Sequence, residues 1–309
     1  MFFPLSDLPL ELALDILRLA ASTNVNQQYQ SRRQVYQTAT SLAYVSFGVR
    51  QAVMPHLLHT VILHNQNSVN LFVRTIEQQQ ALASAASRLS LNYSQYVRRL
   101  WSNQCYTPLV HWPQDRYTNY RHLFDIFCRS EALGFTFDSI HLIYEALGGA
   151  QFRPHTLSEW NCRRVTFAGQ YPRWNTLSST SAGAAFLQRI THLIIWVSYD
   201  DTIDPGDISP AGDVPNWINK VPFELMPNLS HFAFTLVTPP GATAATILAY
   251  TSPTSSPQSS TIFRTWASSS NPLSYGRLFN LDVNHSPPEL KWEMAFLRSA
   301  NDLWVEIGQ

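Results

Sequence analysis

Short apolar runs, each entered through Leu or Ile and one or two polar residues, recur along this 309-residue chain every roughly thirty to forty positions. Residues 226–234 (MPNLSHFAF) and 188–196 (QRITHLIIW) show the pattern plainly. Such runs are too short for helices and rich in β-branched and aromatic residues, so they read as strands. Candidate strands are 60–63, 97–101, 157–167, 190–197, 229–236, 262–266 and 278–283. Between them, residues 69–78, 119–129 and 184–189 carry apolar positions at three-and-four spacing and read as helices. The chain is therefore expected to be α/β and built from degenerate repeats. Two stretches, 198–221 and 251–270, hold so many Pro, Gly, Ser, Thr and Asp residues that they read as loops.

Composition narrows the partners. Hydrophobic residues make up 45% of the chain and aromatics 13%, enough for a continuous core. Lys and Arg total 21 against 21 Asp and Glu, so net charge recruits neither nucleic acid nor a membrane surface. The longest apolar runs, such as 193–197 (LIIWV), fall far short of the ~18 residues that span a bilayer. The N-terminal stretch has no basic leader and reaches Asp7 and Glu11 early, so it is expected to belong to the fold of an intracellular protein, cytoplasmic, nuclear or both. Cys105, Cys128 and Cys162 have no C-x-x-C spacing and read as reduced, half-buried thiols.

The first sixty residues follow a different rule. Residues 8–21 form a helix pattern opened by Pro9, with Glu11 near the positive end of its dipole. Leu8, Leu12, Ile16 and Leu19, with Leu17 and Ala20 alongside, make one apolar stripe, and that stripe must be covered by something. A polar connection, 22–34, separates it from a second expected helix, 35–53, which Pro55 is expected to stop before a short turn at Leu57 and Leu58.

These segments resemble an F-box. Leu8, Pro9, Glu11, Leu12, Ile16 and Leu17 match its opening Leu-Pro-x-Glu-Leu and the following aliphatic pair. Leu42, Val45, Ser46, Val49 and Arg50 resemble its run into Val-Ser-x-x-x-Arg, and Pro55, Leu57 and Leu58 its closing Pro-Leu-Leu. The 22–34 connection is longer than the family's usual link, and the common Trp near the end is absent. His59–Val61 written as His-Thr-Val, the phrase at 223–234 and the stretch at 292–304 are similar to fungal F-box proteins with a degenerate leucine-rich region. The resemblance implies an all-α three-helix F-box over 1–62, followed over 63–309 by an irregular leucine-rich-repeat-like α/β solenoid. It implies docking on a Skp-type adaptor, and through it a cullin, by Leu8, Pro9, Glu11, Leu12, Ile16, Leu17, Val45, Val49, Leu57 and Leu58. A protein substrate of unknown identity would be held by outward residues of the strands, with Trp101, Trp160, Trp196 and Phe234 as candidates. Such a receptor is not itself an enzyme and needs no cofactor, because it works by raising the local concentration of substrate.

Other chemistries have thinner support. The chain has no G-x-S-x-G, H-E-x-x-H, P-loop or dinucleotide fingerprint. Asp200, Asp201, Asp204 and Asp207 could gather a calcium ion or supply a hydrolase's carboxylates, but they lack the order of an EF-hand and read as a solvated turn. His56, His59 and His64 have no Cys or carboxylate at ligand spacing, so no metal site is expected. Arg98, Arg99, Arg163 and Arg164 lie near Trp101 and Trp160, yet without a basic stripe they read as strand-edge residues rather than a nucleic-acid surface. A scaffold that holds the adaptor and delivers nothing is the remaining alternative within the binding class.

Overall fold

The computed structural model describes residues 8–22, 32–103, 118–148, 160–169, 174–196, 216–235, 244–251 and 277–282, together with Glu293, Phe296 and Leu297. Three helices come first: α1 (Leu10–Ala21), α2 (Arg32–Ala43) and α3 (Phe47–His59). The single second helix expected from the sequence is thus two. Tyr44 and Val45 close a turn onto the carbonyls of Ser41 and Leu42, and the Ser46 side chain accepts from the Val49 N–H at 3.2 Å to start α3 afresh. Pro55 does not stop α3, and Leu57 and Leu58 are helical rather than on a turn. An interior proline costs about 3 kcal/mol. Burial of Val53, Met54 and Leu58 around it, at about 1.5–3 kcal/mol per aliphatic side chain, outweighs that cost.

The chain then enters β1 (Thr60–Leu63) directly from α3, and α4 (Gln66–Ser84) follows. An Asn65–Ser68 capping box opens α4: each residue's side chain accepts from the other's backbone N–H at 3.0 Å. The short helix α5 (Tyr93–Tyr96) leads to β2 (Arg99–Ser102). Tyr120–Leu123 is a tight helical turn running into α6 (Phe124–Arg129), so the expected helix at 119–129 is present in two geometries. After it come β3 (Ala132–Thr136), α7 (Ile140–Gly148), β4 (Arg164–Ala168), α8 (Asn175–Ser178), α9 (Ser181–Leu187), β5 (His192–Trp196) and β6 (His231–Thr235). Strands β7 (Ala244–Thr251) and β8 (Arg277–Asp282) complete the sheet. The expected strand at 262–266 lies outside the described residues.

All eight strands form one sheet whose spatial order is the chain order. Strands β1 to β6 pair in parallel, and β7 pairs antiparallel with both β6 and β8. The parallel strands begin at 60, 99, 132, 164, 192 and 231, which are 28 to 39 residues apart. Parallel neighbours cannot be joined by a tight turn, so each interval carries a crossover with helical segments. Entry into several strands repeats one device. A single carbonyl, Arg98, Arg163 or Thr191, accepts from two successive N–H groups at the start of the next strand.

Side chains alternate across the sheet. On one face Val61, Leu63, Leu100, Leu133, Phe135, Val165, Phe167, Leu193, Ile195, Phe232 and Phe234 meet the apolar sides of the helices in one continuous core. The loop expected at 198–221 packs there too at its end, where Trp217, Ile218 and Val221 are buried. A smaller cluster of Leu17, Ala21, Ala39 and Val53 joins α1, α2 and α3. Leu57 touches both clusters, and the Tyr36 hydroxyl donates to the Thr60 carbonyl at 2.9 Å, so the helical unit is tied to the first strand. No helix among the described residues is long and apolar enough to cross a membrane.

Candidate functional site

Two surfaces stand out, and the first is on the N-terminal helices. Helix α1 begins with the Pro9 carbonyl accepting from Ala13 and ends where the Ser22 N–H and hydroxyl both donate to the Arg18 carbonyl. Its inward residues are Ala13, Leu17 and Ala21, spaced four apart. The stripe expected to be covered points the other way: Leu12 is 53% exposed, Ile16 41% and Leu19 72%. Leu8 is half-buried, and Pro9 and Glu11 are exposed. At the α2–α3 turn Tyr44 and Val45 are also open, Val45 by 68%.

The ten residues expected to contact an adaptor therefore divide. Pro9, Glu11, Leu12, Ile16 and Val45 offer surface, and Leu8 does so in part. Leu17 and Leu58 do not, because Leu17 holds the three helices together and Leu58 belongs to the main core. Val49 and Leu57 are half-buried against the small cluster, so they act from within the helical unit.

The second surface is the sheet face away from the helices. Register aligns Thr60, Arg99, Ala132, Arg164, His192 and His231 in one row, and Ile62, Trp101, Gly134, Thr166, Ile194 and Ala233 in the next. The first row is rich in nitrogen. His192 and His231 stack with ring centroids 4.0 Å apart and planes 8° off parallel. Each Nδ1 lies 2.8 Å from the hydroxyl of the preceding residue, Thr191 or Ser230, which fixes both rings. Burial, reinforced by His231 and Arg164, pulls the His192 pKa down to about 3, and burial with Arg164 lowers that of His231. Both imidazoles are therefore neutral at pH 7, and Arg164 supplies the charge of that part of the row.

In the second row the residues are small between Trp101 and the Trp196 end of β5: Gly134 and Thr166, with Ala168 one step along. The two indoles use that space to meet across the intervening strands, at 6.0 Å between centroids. Phe296 packs on Trp101 at 5.3 Å. A shallow depression lined by Arg164, Thr166, His192 and Ile194 borders Phe296.

The four expected substrate contacts are all buried in this arrangement. Trp101 and Trp196 are on the predicted outward face, but they close over one another and are fully buried. Trp160 lies in the helix-side core against Phe124 and Phe186, and Phe234 lies there against Trp217 and Phe232. Among the described side chains of β1 to β6 in these two rows, those with surface are Arg164, His192 and His231. Arg164 belongs to the Arg163-Arg164 pair read from the sequence as strand-edge residues, whereas His192 and His231 carry no such reading; their available signal is the repeated Thr-His and Ser-His at 191–192 and 230–231.

Other candidates resolve individually. Arg98 faces Glu131 at 4.0 Å, and Arg99 is buried. His59 Nδ1 is 3.1 Å from the Thr60 hydroxyl, and His64 meets Glu293, a carboxylate 229 residues away that no local spacing could reveal. Cys128 and Cys162 are buried rather than half-buried, and burial pushes the Cys162 thiol up to about 12. Asp200, Asp201, Asp204 and Asp207 lie outside the described residues, as does Cys105. Among the described residues no group of three or more His, Cys, Asp and Glu is placed to hold a metal ion. Compared with family models, curated protein sequences and solved structures, the chain has no significant match.

Proposed function

We propose that this chain is a substrate-receptor subunit of a Skp-cullin-F-box ubiquitin ligase. Helices α1 to α3 serve as the F-box that docks on the Skp-type adaptor, and the succession of strands and helices after them serves as a leucine-rich-repeat-like solenoid that holds a protein substrate. One observation carries the reading. The stripe of Leu12, Ile16 and Leu19, with Tyr44 and Val45 at the neighbouring turn, stays exposed on a helical unit already packed through Ala13, Leu17, Ala21, Ala39 and Val53. Large apolar side chains left open on an already packed helical unit, Leu10 and Leu14 among them, are what a partner buries. The mechanism asks no reacting group of this chain, because proximity to a charged ubiquitin-conjugating enzyme supplies the rate.

The test is co-expression with a Skp-type adaptor and size-exclusion chromatography of wild type, Ile16→Asp, Leu19→Asp and Leu17→Ala. Placing a carboxylate in the buried centre of an interface costs about 2 kcal/mol or more, over tenfold in Kd. Wild type is expected to co-elute with the adaptor, whereas Ile16→Asp and Leu19→Asp elute apart with unchanged circular dichroism. Leu17→Ala reports instead on folding, with a loss of about 2–5 kcal/mol. Elution of folded wild type without the adaptor overturns the reading. A complex that forms yet recruits no cullin leaves the scaffold in its place.

A further inference from the structure

Glu293, Phe296 and Leu297 are in helical backbone at positions i, i+3 and i+4, one face of a turn, and each is 2% exposed or less. They seat on the sheet face that carries no helices of the main core. Glu293 Oε1 is 3.3 Å from His64 Nδ1, just beyond β1. The Phe296 ring packs against Trp101 of β2 and over Gly134 of β3. Arg99, buried beneath, holds its guanidinium carbon 5.0 Å from the Phe296 ring centroid. Its two terminal nitrogens donate to the carbonyls of Phe296 and, at 3.2 Å, Leu297.

Ordinary core packing needs none of these polar contacts. Here a buried arginine donates to two main-chain carbonyls, groups that a peptide of any sequence can offer. The ring's place exists because the central residue of β3 has no side chain: a Cβ on Gly134 would come within 2.8 Å of Phe296 Cδ2. An acidic residue one turn earlier is read by His64. We propose that this is a recognition groove for a helical segment of the pattern Glu-x-x-Phe followed by an aliphatic residue. The chain's own Glu293, Phe296 and Leu297 fill it in cis, and a partner helix of the same pattern displaces them.

Emptied, the groove would leave the Arg99 charge without those two carbonyls and the Trp101 indole without the Phe296 part of its cover, so it exchanges one occupant for another of like chemistry. An amphipathic helix laid into an apolar groove through i, i+3 and i+4 anchors is an established binding mode. The tether gives the internal segment an effective concentration on the order of millimolar, which masks the groove from a weak competitor. None of this depends on adaptor docking.

The test uses the full chain and a fluorescein-labelled peptide of residues 290–300 (LKWEMAFLRSA), read by fluorescence polarisation. The Phe296→Ala chain is expected to bind the peptide at least tenfold more tightly than wild type, and the Glu293→Gln chain with an intermediate Kd. Unlabelled peptide with Phe replaced by Ala is expected to compete at least tenfold less well than the natural one. Equal binding to wild type and Phe296→Ala overturns the proposal, as does equal competition by the Phe-less peptide. Loss of native circular dichroism in both variants also overturns it, because the three residues would then be plain core.

Discussion

Replacing Gly134 with alanine tests the crowding on which the open sheet face depends. Gly134 is the middle residue of β3. A Cβ there would lie 2.8 Å from both Phe296 Cδ2 and Trp101 Cζ3, and closer still to Trp101 Cε3. Carbon atoms settle at about 3.5–4.0 Å, so the rings must retreat by about 0.7 Å or more. Trp101 has little room to move, because Trp196 and Phe296 stand at 6.0 and 5.3 Å from it and its own side chain is fully buried.

Overpacking of this kind costs about 1–3 kcal/mol, and the crowding by two rings puts it in the upper part of that range. Against it, losing a glycine's unfolded-state freedom returns about 0.4–1 kcal/mol. The expected net is a destabilisation of about 1–2.5 kcal/mol. Urea unfolding of the full chain, followed by circular dichroism, reads this as a lower midpoint at unchanged slope. Trp101→Leu removes the obstructing ring, so in a double-mutant cycle Gly134→Ala should cost at least about 1 kcal/mol less in that background. A Gly134→Ala chain as stable as wild type, or more so, would refute the packing described for this face.

Two further perturbations follow from local chemistry. The fold keeps His192 neutral while the unfolded chain protonates it near pH 6.5, so its contribution is intact above that pH and is lost as pH falls from about 6.5 towards about 3. Between pH 7.5 and 5.5 wild type should lose about 1 kcal/mol more stability than His192→Gln, and parallel pH profiles for the two would refute this. Ser46→Ala removes the side chain that caps α3 and should cost about 1 kcal/mol in thermal or urea unfolding, whereas Ser46→Asp, which preserves an acceptor, should cost much less.

The legible part of the fold was its strands. Residues 60–63 are β1 as expected, and 190–197, 229–236 and 278–283 contain or nearly match β5, β6 and β8. Dense β-branched and aromatic runs announce strands whatever surrounds them. Strand β3 escaped because Ala132 and Gly134 dilute its pattern, and they do so for a reason: that face of β3 must make room for Trp101 and Phe296. Glycine inside a strand marks a close approach, which was the available signal. The α2–α3 boundary was hidden for the opposite reason. Apolar spacing continues through Val45 and Val49, and only Ser46, able to cap as well as to sit in a helix, marks the restart.

The surfaces were harder to read than the elements, and α1 shows why. Its sequence, LELALDILRLAA, carries leucine or isoleucine on nearly every side, so three-and-four spacing can be traced along more than one line. The line of largest residues, Leu8, Leu12, Ile16 and Leu19, suggests the buried face by size alone. Burial instead follows Ala13, Leu17 and Ala21, because α1 lies beside α2 and α3 where Ala39 and Val53 meet it, and small residues let the helices come close. Which stripe faces inward is thus decided by the neighbours' side chains and not by the helix. The same holds across the sheet: the outward position of Trp101 follows from alternation, but its burial follows from Trp196 and Phe296, each about a hundred or more residues further along. Periodicity assigns a residue to a face, and only the tertiary partner decides whether that face is open.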